Sequence, residues 1–279
     1  MKQTFGLEFE FMSSLTRPEI ASRLVRAFRT FKGKNDILYE KHKVDTKVFE
    51  YHQHSPDKWG VEYDSSIETT KKHQERIELI TPPLRQNDFP VIEKALSIVS
   101  PFSSVNGSCG LHCHVGVSSQ ELVTKMAILW YISELEIMKV FPLTRHNNSY
   151  CIKLTNSLPE AFNPATANRY NILNIAPWTH KRTVEFRGHS GTLNYKKVKK
   201  WVLFCLSFMR LANKLTTKEL EEYLHGPFKH ITFDIFNFLD ISNTKTHRYY
   251  IYRMQHFEKA KKRRLNKQVN QQNILARRR

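Results

Sequence analysis

The run Cys109-Gly110-Leu111-His112-Cys113-His114-Val115-Gly116-Val117 alternates ligand-type and apolar side chains. In a β-strand, residues two apart share a face. His112 and His114 therefore point to one side, while Leu111, Cys113, Val115 and Val117 point to the other and can pack into a core. The same device occurs twice more. Phe5-Gly6-Leu7-Glu8-Phe9-Glu10-Phe11 puts two carboxylates on one face of an apolar strand, and Thr183-Val184-Glu185-Phe186-Arg187 does so with a carboxylate and a guanidinium. Three strands with charge on one face and hydrophobes on the other are hard to explain as ordinary sheet.

Outward from these strands the chain mixes helical and extended signals. Thr16 caps a helix opening at Arg17-Pro18-Glu19-Ile20, and Ile20, Leu24, Val25, Ala27, Phe28 and Phe31 recur at helical spacing until Gly33. Residues 35–66 read as short strands, with Trp59-Gly60-Val61-Glu62-Tyr63-Asp64 leading into Ser65-Ser66-Ile67. Arg76-Ile77-Glu78-Leu79-Ile80-Thr81 is a strand closed by Pro82-Pro83, and alternation leaves open whether Glu78 faces inward or toward solvent. Helices are expected over 87–100, over 195–215, and from a Ser118 or Ser119 cap to Phe141, just before Pro142. Past Leu215 the composition shifts. A short acidic helix over 217–224 is broken by Gly226-Pro227, and an aromatic-rich stretch leads to a tail over 246–279 that carries Lys259, Lys261, Lys262, Arg263, Arg264 and Arg277-Arg278-Arg279. The chain accordingly divides into a main domain, 1–215, and a basic, mainly helical C-terminal extension, 216–279.

Bulk properties narrow the class. The length of 279 residues suits a sizeable core, and 40% apolar with 12% aromatic residues is globular composition. No apolar run approaches the ~20 residues that span a bilayer. The start shows no charged-then-apolar leader, so the expectation is a cytoplasmic protein without membrane attachment. Cys109, Cys113, Cys151 and Cys205 sit in apolar segments or beside histidines, which fits reduced thiols better than a disulfide framework. With 44 Lys and Arg against 26 Asp and Glu, the formal charge of +18 predicts attraction to polyanions.

Paired carboxylates on one strand face repel, so a divalent cation or a basic partner between them is the usual reason for their presence. The competing explanation is a solvated sheet face. Cys109, His112, Cys113 and His114 invite a zinc reading, but a closed zinc site gathers ligands in two spaced pairs. There is no second pair here, and alternation aims Cys113 away from the histidines.

Five motifs in order resemble the amidoligases of the carboxylate-amine ligase superfamily, relatives of glutamine synthetase and glutamate-cysteine ligase. They are Gly6-Leu7-Glu8-Phe9-Glu10; Asp64-Ser65-Ser66 followed by Ile77-Glu78-Leu79-Ile80-Thr81-Pro82-Pro83; Cys109-Gly110-Leu111-His112-Cys113-His114; Arg169-Tyr170-Asn171-Ile172-Leu173-Asn174; and Thr183-Val184-Glu185-Phe186-Arg187-Gly188-His189-Ser190-Gly191-Thr192-Leu193. The resemblance covers about residues 1 to 215. It implies an α+β, glutamine synthetase-like fold: a curved antiparallel sheet whose concave face holds ATP and Mg2+ or Mn2+, with helices on the convex face. The implied activity is ATP-dependent amide or isopeptide formation through an acyl phosphate, from a carboxylate and an amine that are small molecules, peptides or proteins.

By the same likeness, Glu8, Glu10, Glu78 and Glu185 are metal ligands, and His112 or His114 is a further ligand or a phosphate contact. Arg187 reaches the transferred phosphate, Asp64 orients the amine or closes the site, and Arg169, Arg182 and, more weakly, Arg145 bind phosphate or carboxylate. Hard oxygen ligands suit magnesium, and arginines give bidentate phosphate contacts. The rival reading is a non-catalytic, nucleic-acid-binding protein on a ligase-like fold. Its support is the basic tail with the interleaved aromatics Tyr249, Tyr250, Tyr252 and Phe257. The tail also suits docking of an acidic substrate or partner, and oligomeric state is left open.

Overall fold

The three strands with charged faces lie side by side in one sheet. The computed structural model describes residues 3–30, 42–46, 55–69, 74–146, 148–156, 162–229, 233–241 and 244–276. Among them the strands are β1 (Phe5–Ser13), β2 (Gly60–Tyr63), β3 (Glu75–Ile80), β4 (Ser103–Ser104), β5 (Gly110–Gly116), β6 (Leu173–Asn174) and β7 (Thr183–Ser190). They form a curved, unclosed sheet in the order β2-β3-β1-β5-β7-β6, with β4 also paired to β1, and every pairing is antiparallel. The expected α+β class and antiparallel sheet are thus present.

Among the described residues eight helices accompany the sheet: α1 (Arg17–Thr30), α2 (Phe89–Val99), α3 (Gln120–Met138), α4 (Trp178–Lys181), α5 (Tyr195–Lys214), α6 (Thr217–Leu224), α7 (Ile235–Phe238) and α8 (Lys245–Ala276). Their starts follow local chemistry. The Glu19 N–H donates to Thr16 Oγ1 at 3.4 Å while the Thr16 N–H donates to the Glu19 carboxylate at 2.7 Å, a reciprocal cap. Ser119 caps α3 through the Leu122 N–H, and Asn194 caps α5 through the Lys197 N–H. At the other end of α3 the ladder stops at Met138 rather than Phe141. Lys139, Val140 and Phe141 donate to carbonyls three residues back, the tight turn of a chain about to enter Pro142. The expected stop of α1 at Gly33 lies outside the described residues.

The apolar faces of the strands and the helices share one core. Phe186 of β7 packs against Trp130 of α3 and against Trp201 and Phe208 of α5, with ring centroids 5.7, 6.2 and 5.5 Å away. Leu7, Phe9, Leu111, Cys113 and Val115 belong to the same cluster, and all four cysteines are buried and free. Residues beyond 215 join it too, through Leu220, Ile235, Phe236 and Tyr250. The four aromatics interleaved with the basic tail therefore differ in exposure. Tyr250 is in the core with its hydroxyl donating to the Lys200 carbonyl, Tyr249 and Phe257 are half-buried, and Tyr252 remains exposed. No helix among the described residues is long and apolar enough to cross a membrane.

One irregularity reshapes the active face. Leu111 pairs with His189 and Cys113 with Phe186, so two residues, Arg187 and Gly188, oppose the single His112. Simple alternation would put His189 on the same face as Glu185 and Arg187; the bulge turns it to the core. Glycine suits the extra position, since a Cβ on Gly188 would lie 2.8 Å from the Phe141 ring. The His189 ring lies 5.3 Å from that of Trp201, tilted by 46°, and its Nδ1 donates to the Ser190 carbonyl. Burial, reinforced by nearby Arg253, pushes its pKa down to about 3.

The pH dependence follows. The unfolded chain protonates His189 near 6.5 and the folded chain resists until about 3, so the unfolded state holds more protons between those values. The contribution is complete above 6.5 and is lost as pH falls, by up to about 1.4 kcal/mol per unit. Urea denaturation at pH 7 and pH 5 should show a smaller acid-induced loss in His189→Gln than in wild type. Equal losses would refute this role.

Candidate active site

Register brings the charged side chains together. Glu10 of β1 faces Glu78 of β3, which faces Glu62 of β2; Glu8 faces His112; and His114 faces Glu185, which faces Asn174 of β6. The group is enclosed, with Glu8, Glu10, Glu62, Glu78, His112 and Glu185 all buried. Glu78 thus faces inward.

The contacts form a chain. Glu8 reaches both imidazoles, Oε2 to His112 Nδ1 at 3.2 Å and Oε1 to His114 Nε2 at 2.9 Å. His112 Nε2 lies 3.2 Å from Glu10 Oε1, and its Nδ1 lies 3.3 Å from Glu185 Oε1. Glu185 is held from two sides, by Arg187 Nη1 at 2.5 Å and by Asn174 Nδ2 at 2.6 Å. Glu10 accepts the Gly110 N–H at 2.5 Å. That approach requires glycine, because a Cβ at 110 would sit 2.7 Å from His112 Nε2. Asp64 closes a local turn by accepting the Ser66 N–H at 2.7 Å.

Burial and charge set the protonation states. Burial alone would raise the Glu8 carboxyl, but His114 and His112 outweigh it and hold it well below the usual carboxylate range. Glu185 is likewise lowered against its burial, first by Arg187. His114 is disfavoured as a cation by burial, yet Glu8 and Glu185 raise its pKa. Glu78 has no such relief: burial first, then repulsion from Glu8, Glu10, Asp64 and Glu62, raise it well above 4.5. The β3 end of the cluster carries more negative charge than its cationic partners neutralise.

Three sets of donors can each converge on one ion: Glu8, His114 and Glu185; Glu8, Glu78 and His112; and Glu10, Asp64 and Glu78. Within each set the ligand atoms lie within 4.8 Å of one another. Carboxylates with at most one imidazole are the donors of Mg2+ or Mn2+ rather than of a thiolate-rich zinc site. The excess charge around Glu78 fits a cation. Each histidine serves a different set, and Asp64 stands among the ligand candidates.

A cleft of about 1180 Å³ opens from this cluster. Glu8, His114, Glu185 and Arg187 form its floor, and Arg169, Lys181 and Arg182 lie along it. Arg187 is steadied by donating Nε to the Tyr150 carbonyl at 3.2 Å. Arg182 follows α4 in the left-handed region, φ 55°, with its guanidinium 4.6 Å from the Trp178 ring centroid. Arg145 lies elsewhere. It is 2% exposed, lines no part of the cleft, and donates Nη2 to the Arg187 carbonyl at 2.6 Å, so it braces β7.

A family model described as "putative amidoligase enzyme" matches residues 1–168 and 157–209. The chain belongs to this amidoligase family. No curated protein and no solved structure matches it. The matched region of this amidoligase spans all seven strands and most of α5, and hence every side chain of the cluster. Sequence reasoning passed over two members, Glu62 and Asn174, although both lie in quoted runs. The signal that places them is register: Glu62 opposite Glu78, and Asn174 opposite Glu185.

Proposed function

We propose that this amidoligase is an ATP-dependent carboxylate-amine ligase acting through an acyl phosphate. A carboxylate oxygen of one substrate attacks the γ-phosphorus of ATP and ADP leaves. The amine nitrogen of the second substrate then attacks the acyl carbon, loses a proton, and phosphate departs as the amide forms. The observation that carries this reading is the continuity of a buried acidic and imidazole cluster with a cleft lined by arginines. Through Glu8, His114 and Glu185, which line the cleft, candidate metal ligands stand beside candidate phosphate partners.

Each group has a part. Glu8, Glu10, Glu78, Glu185, Asp64 and the two imidazoles would hold divalent ions. A divalent ion held there would supply positive charge to offset that of the phosphates. Arg187, oriented by Glu185 and the Tyr150 carbonyl, faces the transferred phosphoryl group. Arg169 and Arg182 take the remaining phosphates or the substrate carboxylate.

Titration calorimetry should show ATP binding that requires Mg2+, with slow ATP hydrolysis in the absence of acceptors. No nucleotide binding with Mg2+ present would refute the reading. Arg182→Gly tests the cleft wall separately from the fold. Glycine relieves the left-handed strain of about 1–2 kcal/mol, which offsets loss of the Trp178 contact worth about 0.5–1 kcal/mol. Stability should stay within about 1 kcal/mol of wild type, while Mg-ATP affinity falls about tenfold for a lost charged contact. Unchanged affinity would remove Arg182 from the site.

A further inference from the structure

The second half of α8 projects away from the body. Its first turns are docked, with Tyr250 buried and Arg253 Nε donating to the Val140 carbonyl at 2.8 Å. From Glu258 to Val269, by contrast, every residue is exposed. At 3.6 residues per turn, Lys262, Lys259, Arg263, Lys267, Arg264 and Lys261 follow one another around roughly 260° of the circumference. The remaining sector holds Glu258, Leu265 and Val269. Tyr252 and His256, whose rings stack 6.0 Å apart, continue the stripe of Lys259, Arg263 and Lys267 toward the body.

Such a segment is a poor free helix. Lys259–Arg263 and Arg263–Lys267 are like-charge pairs one turn apart, each costing about 0.2–0.5 kcal/mol. Glu258–Lys262 at 3.2 Å is the favourable pair that opposes them. A polyanion reverses the sign of this self-repulsion.

We propose that α8 beyond residue 257 binds duplex DNA, lying in the major groove with its cations on the flanking phosphates. The charge distribution selects this partner. Cations on both flanks suit a groove, where phosphates line two sides, whereas an acidic protein surface meets one side. The B-form major groove is about 12 Å wide and admits an α-helix; the A-form groove of RNA does not. An anionic membrane would need a broad apolar face, and here Leu265 and Val269 share a narrow sector with Glu258. Contacts of this kind are to phosphate, so binding would be largely independent of sequence. The proposal does not depend on the ligase chemistry.

Fluorescence anisotropy of the full chain with a labelled 20-base-pair DNA, over a series of salt concentrations, tests it. Binding should weaken steeply with salt. Lys259→Gln, Lys261→Gln and Arg264→Gln together, which strip cations from both flanks, should lower affinity at least tenfold and reduce the salt slope by about 2 to 3, as expected for three lost phosphate contacts. A control triple on other exposed lysines, Lys214→Gln, Lys218→Gln and Lys229→Gln, removes the same charge and should bind nearly as wild type. Absence of duplex binding, an equal loss in the control, or tighter binding to an RNA duplex of the same sequence or to phosphatidylserine vesicles would each overturn the proposal.

Discussion

Glu8→Gln should abolish Mg-ATP turnover while leaving a folded protein. Glu8 belongs to two of the three candidate ligand sets and touches both imidazoles, at 3.2 and 2.9 Å. Glutamine keeps the shape but offers one neutral oxygen and a donor where an anion stood. That donor would face His114 Nε2, and His114 would lose the nearest charge raising its pKa. Removing a preorganised electrostatic group from a water-poor site costs about 10²–10³ in kcat, and a lost metal site costs more. The expected result is a fall of at least about a thousandfold in ATP hydrolysis, disappearance of the Mg-ATP binding heat, and an unchanged circular dichroism spectrum. Turnover within about tenfold of wild type would mean that Glu8 neither binds metal nor shapes the phosphate site.

The parts of this site that were legible in the sequence share a property: they depend on alternation within one strand. His112 with His114, Glu8 with Glu10, and Glu185 with Arg187 share faces because neighbouring side chains alternate, whatever the strands pair with. Cys113 falls into the core for the same reason. Glu78 was ambiguous because a lone charge on a short strand has no internal partner to orient it. Pairing with Glu10 across the sheet decides it, and pairing is a non-local property. Glu62 and Asn174 were missed on the same ground.

His189 is hidden from the sequence for a different reason. Its strand carries an extra residue, and a bulge inverts the alternation beyond it, so a histidine in register with Glu185 and Arg187 by counting lies against Trp201 instead. Arg145 shows a third limit. Nothing local tells a cleft arginine from one that braces a strand; burial and the Arg187 carbonyl 2.6 Å away do. The helices were easier. Caps at Thr16 and Ser119 are local signals.

Glu78→Gln should make the protein more stable without metal and nearly indifferent to it. In wild type, burial and four neighbouring carboxylates raise the Glu78 pKa well above 4.5. Between the ordinary value and the raised one, the folded state binds more protons than the unfolded state, so stability falls as pH rises through that window. The neutral amide fills the same space with no proton to lose. Its melting temperature at pH 8 should therefore exceed that of the metal-free wild type, and its decline between pH 6 and pH 8 should be shallower. A cation reverses the balance in wild type: Glu78 lies in two candidate ligand sets, and ionising it releases a proton as it gains a ligand bond. Mg2+ or Mn2+ should thus raise the wild-type melting temperature, more at pH 8 than at pH 6, and raise that of Glu78→Gln little at either. The opposite pattern, a less stable variant that still responds to the ion, would place the cation away from β3. A carboxyl buried among carboxylates is then both a source of instability in the metal-free sheet and a candidate means of holding metal.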